Sequence, residues 1–242
     1  MNISNAFIAL LLSYFTCSAQ NNLKSYEPVA VFTPDLSEQK DTAIKRQYQL
    51  LEKENLSASE EKELNELLDA YGETVESIWD IIDGGCSWYC GGGNYKVMAT
   101  SSLASSNGNN YEAKMANNLS YKTAWVEGKP DAGIGESISY TFKNDSPRIT
   151  SIIISNGYQK SFAAWKNNNR VKALKLYVNN KPYAILNLQN SKTDQEFKVG
   201  ILGQNKDKTD LVLKFEILEI YAGDKFNDTA ITEIYFNGID VH

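Results

Sequence analysis

The C-terminal part of the chain is cut into short apolar runs by turn residues, and that cadence leaves few folds open. The runs are Ser137–Phe142, Ile149–Ser155, Val171–Val178, Tyr183–Leu188, Glu196–Ile201, Leu211–Tyr221 and Ala230–Phe236. Their length, and the β-branched and aromatic residues in them, predict strands stacked as an antiparallel sandwich or barrel. Val178-Asn179-Asn180-Lys181-Pro182 predicts a hairpin turn, because Asn tolerates the positive φ such turns need. A first strand is expected over Tyr95 to Thr100, entered through a flexible turn at Gly91-Gly92-Gly93 and left through an exposed loop over Ser101 to Asn110.

The N-terminal third reads differently. Ala6 to Phe15 is apolar, and Cys17-Ser18-Ala19 offers small residues for cleavage before Gln20, so residues 1–19 are expected to be a signal peptide. The expected location is secreted or periplasmic, with lipid anchoring at Cys17 as the alternative; the apolar run is too short for a membrane span. Residues 20–36 carry Pro28 and Pro34 and are expected to be a linker. Residues 37–83 predict a helical hairpin: apolar residues recur at helical spacing from Ser37 to Glu54, and Ser57 with Glu60 has capping-box spacing ahead of Leu64, Leu67, Leu68 and Tyr71. Gly72 ends that helix, and a further helical run is expected over Glu73 to Asp83.

Charge and nucleophile inventory narrow the chemistry. A formal charge of −6 argues against a nucleic-acid partner. The one His is His242, which removes Ser-His and Cys-His catalysis. Cys86 and Cys90 form an even pair suited to a disulfide in an oxidising compartment and do not complete a zinc site. Glu127, Glu136, Asp224 and Asp228 are loop carboxylates that a glycosidase-like pair would draw on, but abundant acids are weak evidence, and no enzyme is expected. Sugar binding needs aromatic faces with amides and a guanidinium. Asn156, Tyr158, Lys160, Trp165, Asn169 and Arg170 bring these types into one connection between strands. Ser87-Trp88-Tyr89 and Tyr121 are candidate further walls, and the oxygen-rich stretch leading into Trp125 has donors for a hard cation.

Thr123-Ala124-Trp125-Val126-Glu127-Gly128, Gly133-Ile134-Gly135-Glu136, Asn156-Gly157-Tyr158 and Asn169-Arg170-Val171-Lys172, in that order, resemble the discoidin, or coagulation-factor type C, galactose-binding-like domain. More narrowly, they resemble its NAD glycohydrolase translocation (NADase-type glycan-binding) version. The resemblance covers roughly Asp80 to His242 and implies a jelly-roll β-sandwich over residues 84–242, after the helical hairpin, that binds a glycan or glycoconjugate through loops at one end. A protein–protein or cell-surface adhesion module is the alternative. It also implies a structural calcium at Asn118, Ser120, Thr123 and Glu233, with Asn118 standing where many relatives have Asp.

Overall fold

The computed structural model describes residues 23–240 except Asp83, Cys86 and Asn107. The expected signal peptide, Cys17 and the Cys86 half of the expected disulfide therefore lie outside the described residues. In chain order the elements are β1 (Lys24–Tyr26), β2 (Ala30–Phe32), α1 (Glu38–Leu51), α2 (Ala58–Tyr71), α3 (Tyr89–Gly92) and β3 (Tyr95–Ala99). A 3-10 turn (Ala113–Ala116), β4 (Trp125–Val126), β5 (Ser137–Phe142), β6 (Ile149–Asn156) and α4 (Phe162–Asn167) follow. The chain closes with β7 (Asn169–Val178), β8 (Lys181–Asn187), β9 (Asp194–Leu202), β10 (Leu211–Tyr221) and β11 (Thr229–Gly238).

Hydrogen bonding runs in the order β2-β9-β6-β11-β7-β10-β5-β3, with β8 and then β1 added beside β7, and β4 beside β11. The path is antiparallel except at β11–β7, a short parallel contact at Thr229↔Asn169 and Ala230↔Arg170. There the sheet divides into two leaves that face each other. The Phe142 and Phe236 rings meet at 5.0 Å, and Tyr140 and Phe236 at 5.1 Å, although β5 and β11 are far apart in the strand order. Ile152, Ile154 and Phe197 of one leaf share one core with Ile138, Leu174, Leu176 and Phe215 of the other. Each such side chain contributes about 1.5–3 kcal/mol by leaving water, so the expected mainly β sandwich is the structure's dominant element. Trp125 is fully buried, and its indole N–H donates to Ser101 O at 2.9 Å.

The seven C-terminal strands occupy the expected positions to within two residues, and Asn179 and Asn180 take φ of 49° and 63° in the β7–β8 turn. The N-terminal third departs further. The expected linker instead supplies two edge strands: β1 pairs in parallel with β8, and β2 antiparallel with β9. Strands this short borrow their conformation from the partner's ladder, which is why Pro28 and Pro34 at their flanks do not prevent them. Helices α1 and α2 form as expected. The Ser37 hydroxyl accepts from Lys40 N at 3.2 Å, and Ser57 with Glu60 makes the full capping box, a device that satisfies otherwise unpaired amides.

Residues 73–82 do not form the expected helix. Gly72 turns the chain at φ +83°, Val75 and Ile78 pack on Ile44 in a second small core, and the backbone then pairs elsewhere. Tyr121 N donates to Trp79 O at 2.9 Å, and Ile81 N to Leu119 O at 3.0 Å. Trp88, expected as a further binding wall, is 3% exposed, with its indole N–H donating to Arg148 O at 3.3 Å. Of the expected flexible turn Gly91-Gly92-Gly93, Gly91 and Gly92 instead lie within the helical turn α3 and Gly93 caps it.

Candidate functional site

At the end where β3, β6 and β10 finish and β5, β7 and β11 begin, three connections and β4 line a cleft of about 360 Å³. The β3–3-10 connection gives Leu103, Ser106 and Tyr111, β4 gives Val126, and the β6–β7 connection gives Tyr158, Ala164, Asn167 and Asn168; Phe226 and Asp228 come from the β10–β11 loop. Val126 and Tyr158 belong to a small buried cluster with Ala124 and Ala230, against which Leu103, Tyr111 and Ala164 pack. The Tyr111 and Tyr158 rings meet edge to face at 6.4 Å, and the Tyr158 hydroxyl donates to Lys122 O at 3.4 Å. Burial pushes that phenol up, with the Tyr111 hydroxyl adding to the effect, so it stays neutral.

The structure separates the six expected ligand residues into two groups. Tyr158 lines the cleft, and exposed Lys160 reaches Asn109 Oδ1 at 3.2 Å. The other four side chains hold the walls. The Asn156 amide donates to Val171 O at 2.8 Å and accepts from Val171 N at 3.0 Å, tying β6 to β7 where the leaves part. Asn169 clasps the β10–β11 loop: its amide donates to Asn227 O at 2.5 Å and accepts from Gly223 N at 2.8 Å. Arg170, 6% exposed, donates to the carbonyls of Trp165, Lys166, Asn168 and Ala222 at 2.9–3.4 Å and to Asn190 Oδ1 at 3.0 Å. Its guanidinium carbon lies 4.6 Å from the Trp165 ring centre, and the Trp165 indole N–H donates to Asn156 O at 3.1 Å. Loops without a ladder need donors for their buried carbonyls, and Arg170 is that donor here.

Of the loop carboxylates, Asp228 alone lines the cleft among the described residues. Glu127 is fully buried and accepts from Lys129 N and Thr229 N at 2.7 and 3.3 Å. Burial pushes its carboxyl up against these amides, with Asp228 and Asp131 adding to the rise. Glu136 accepts from the Thr100 hydroxyl at 2.7 Å, and Asp224 pairs with Lys166 at 3.0 Å.

Beneath the cleft, the oxygen-rich loop rests on Glu233. One carboxylate oxygen accepts from Asn118 N and Leu119 N at 3.2 and 3.0 Å, and the other is buried with no hydrogen-bond partner. The Thr123 hydroxyl donates to Asn118 Oδ1 at 2.9 Å, whereas Ser120 Oγ accepts from Lys122 N. Burial drives the Glu233 carboxyl well above the usual range; the amides oppose this and nearby Asp194 adds to it. Asp194 is itself pushed up by burial and accepts from the hydroxyls of Ser155, Tyr121 and Tyr235. Tyr121, expected as a binding wall, is thus 7% exposed and internal. Of the four residues expected at a calcium, Glu233 has one buried oxygen without a hydrogen-bond partner, Asn118 and Thr123 bond each other through their side chains, and Ser120 is turned to its own loop.

Residues 88–237 match the family described as the NAD glycohydrolase translocation F5/8 type C domain, and the chain belongs to that family. Among solved structures, it is similar to the CBM32-5 domain of CpGH89 from Clostridium perfringens, in complex with GalNAc-β-1,3-galactose. That likeness is 20% identical with a TM-score of 0.45, over 63% of this chain and 100% of the other. It is also similar to CBM32-3 from a family 31 glycoside hydrolase of Clostridium perfringens, at 19% identity and TM-score 0.40, over 60% of this chain and 92% of the other. The CBM32-1 and CBM32-2 domains of Clostridium perfringens ZmpB match at 15% identity and TM-score 0.44, over 84% of this chain and 52% of theirs. No curated protein matches the chain in sequence. Among the described residues, no helix is long and apolar enough to cross a membrane.

Proposed function

We propose that this is an exported, non-catalytic carbohydrate-binding protein that holds a glycan in the end cleft. The observation that carries the reading is the cleft's composition. Its lining combines the apolar Tyr111, Tyr158, Val126 and Phe226 with the polar Asn167, Asn168 and Asp228, a mixture that suits a pyranose with one apolar face and hydroxyls around its edge. Few stacking contacts on a small polar ligand imply micromolar to millimolar affinity. In a glycan-array screen followed by titration, Phe226→Ala and Tyr111→Ala are each expected to weaken binding about tenfold or more, or ~1.4 kcal/mol, with the melting temperature of Phe226→Ala near wild type. Binding unchanged in both variants, or no glycan bound by the folded wild type, overturns the reading. The second reading, docking to a cell-surface protein, is favoured by Phe162, 66% exposed and stacked on Trp165; loss of partner binding in Phe162→Ala with glycan binding intact supports it.

Calcium belongs to the same proposal as a structural ion held by the free Glu233 oxygen with Asn118 and Thr123, weakly because the charge count is low. Millimolar Ca²⁺ is expected to raise the wild-type melting temperature and to leave Glu233→Gln unmoved; an equal shift in both overturns it. The variant also reads the buried carboxyl. A folded-state pKa raised above the unfolded value near 4.3 means the carboxyl's contribution is fully present below that pH and is lost as pH rises toward the folded value. Without Ca²⁺, the stability of Glu233→Gln relative to wild type should therefore grow as pH rises from about 4, measured by urea unfolding.

A further inference from the structure

Resting on the carbohydrate reading, we propose that Thr232 and Tyr121, which are buried and do not line the cleft, are positioning residues that fix its Tyr158 wall. Tyr158 follows the end of β6 at Asn156, where Gly157 turns at φ +76° and bridges in parallel to Ile231 of β11. Residues 157–159 are buried, so their peptide groups need partners inside the protein. The Thr232 hydroxyl, fully buried on β11, serves the peptides on both sides of Tyr158: it accepts from Gln159 N at 2.8 Å and donates to Gly157 O at 2.8 Å. A hydroxyl can do both at once. The Gln159 side chain adds a tether, donating to Thr193 O at 3.0 Å.

The far end of the ring is held separately. The Tyr158 hydroxyl donates to Lys122 O at 3.4 Å, and the residue before Lys122 is Tyr121, whose own hydroxyl donates to Asp194 Oδ2. Tyr235 donates to the same oxygen at 3.1 Å, and Ser155 donates to Oδ1. Asp194 is 2% exposed, so its carboxylate pins Tyr121 against β6, β9 and β11, and with it the neighbouring carbonyl that receives Tyr158. A displaced Tyr158 would also disturb Tyr111, its edge-to-face neighbour in the cleft lining. Tyr121 and Tyr235 make a matched pair: each gives one bond to the same carboxylate oxygen, but only Tyr121 adjoins the carbonyl under Tyr158.

The test compares variants of the full chain by two readouts. One is the ring NMR signal of Tyr158 without sugar, assigned by its loss in Tyr158→Phe; the other is titration with methyl galactoside, methyl glucoside and the first-ranked glycan of an array. Thr232→Val keeps the shape of the side chain and removes its hydroxyl, and it is expected to move the Tyr158 signal and weaken binding about tenfold, with Thr232→Ser restoring both. Tyr121→Phe is expected to move the signal and weaken binding, whereas Tyr235→Phe moves neither, although both lower the melting temperature by losing a bond to Asp194. Equal effects of Thr232→Val and Thr232→Ser, or of Tyr121→Phe and Tyr235→Phe, overturn the inference, as does a Tyr158 signal or an affinity that stays at its wild-type value in Thr232→Val. If Thr232→Val does not fold, the tyrosine pair decides. A folded wild type that binds no glycan overturns the carbohydrate reading, and the Tyr158 signal then still decides whether Thr232 and Tyr121 hold the wall.

Discussion

Arg170→Ala is expected to lower the unfolding free energy by about 3 kcal/mol, since several part-buried carbonyls lose a charged donor, at ~1.5–3 kcal/mol for each such bond before neighbours relax and water reaches the exposed ones. The carbonyls of Trp165, Lys166, Asn168 and Ala222 belong to the two loops on either side of the cleft, so the substitution loosens both walls at once. Arg170→Lys is expected to recover little. An ammonium cannot reproduce a planar fork that serves carbonyls on both sides and also stacks on Trp165. Urea unfolding decides the point. A variant that keeps wild-type stability yet loses glycan binding would make Arg170 a ligand contact; binding lost only in proportion to unfolding makes it the wall's support.

Gly157→Ala is expected to be comparably damaging, about 3 kcal/mol, for a reason that involves no lost bond. Gly157 has φ +76°, and a Cβ there would lie 2.6 Å from Arg170 Cγ and 2.8 Å from Trp165 Cδ1. The left-handed backbone alone costs a residue with a Cβ roughly 1 kcal/mol, and the overlap with two packed side chains adds overpacking strain of about 1–3 kcal/mol. Removing one of those neighbours should relieve part of it. In a Trp165→Ala background the same substitution should cost measurably less, a coupling that a double-mutant cycle in urea reads directly. Equal costs in the two backgrounds would show that the strain lies in the backbone alone.

These two substitutions also show what was legible in the chain and what was not. Alternation and turn residues gave the C-terminal strands, the Asn179-Asn180 turn and the Ser57–Glu60 cap, because those signals are local and each element satisfies its own pattern. Strands β1 and β2 were missed because three residues carry no periodicity, and their order comes from β8 and β9. Residues 73–82 carried Val75 and Ile78 at a spacing that served irregular packing on Ile44 as well as it would have served a helix.

At the cleft, the amides, aromatics and guanidinium expected between β6 and β7 do converge there. Their roles were not legible. Asn156, Asn169 and Arg170 have the side chains that bind sugar hydroxyls, and the same donors are what a buried loop needs for its own backbone. Leu103, Tyr111, Phe226 and Asp228 approach one another only when the leaves close. The one local hint was Phe226, a single aromatic in an otherwise polar and acidic loop.

The helical hairpin sits between β2 and β3, two strands of the same sheet, and its exit segment is stitched to Leu119 and Tyr121. It is therefore fastened at both ends, more a bracket than a leash. A pull applied to the hairpin does not dissipate in slack chain. It divides between β2 at the margin of one leaf and the loop that rests on Glu233, whose next residues, Lys122 to Val126, underlie the cleft. The same stretch of backbone that holds the hairpin's exit thus leads within a few residues to Val126 in the lining of the cleft.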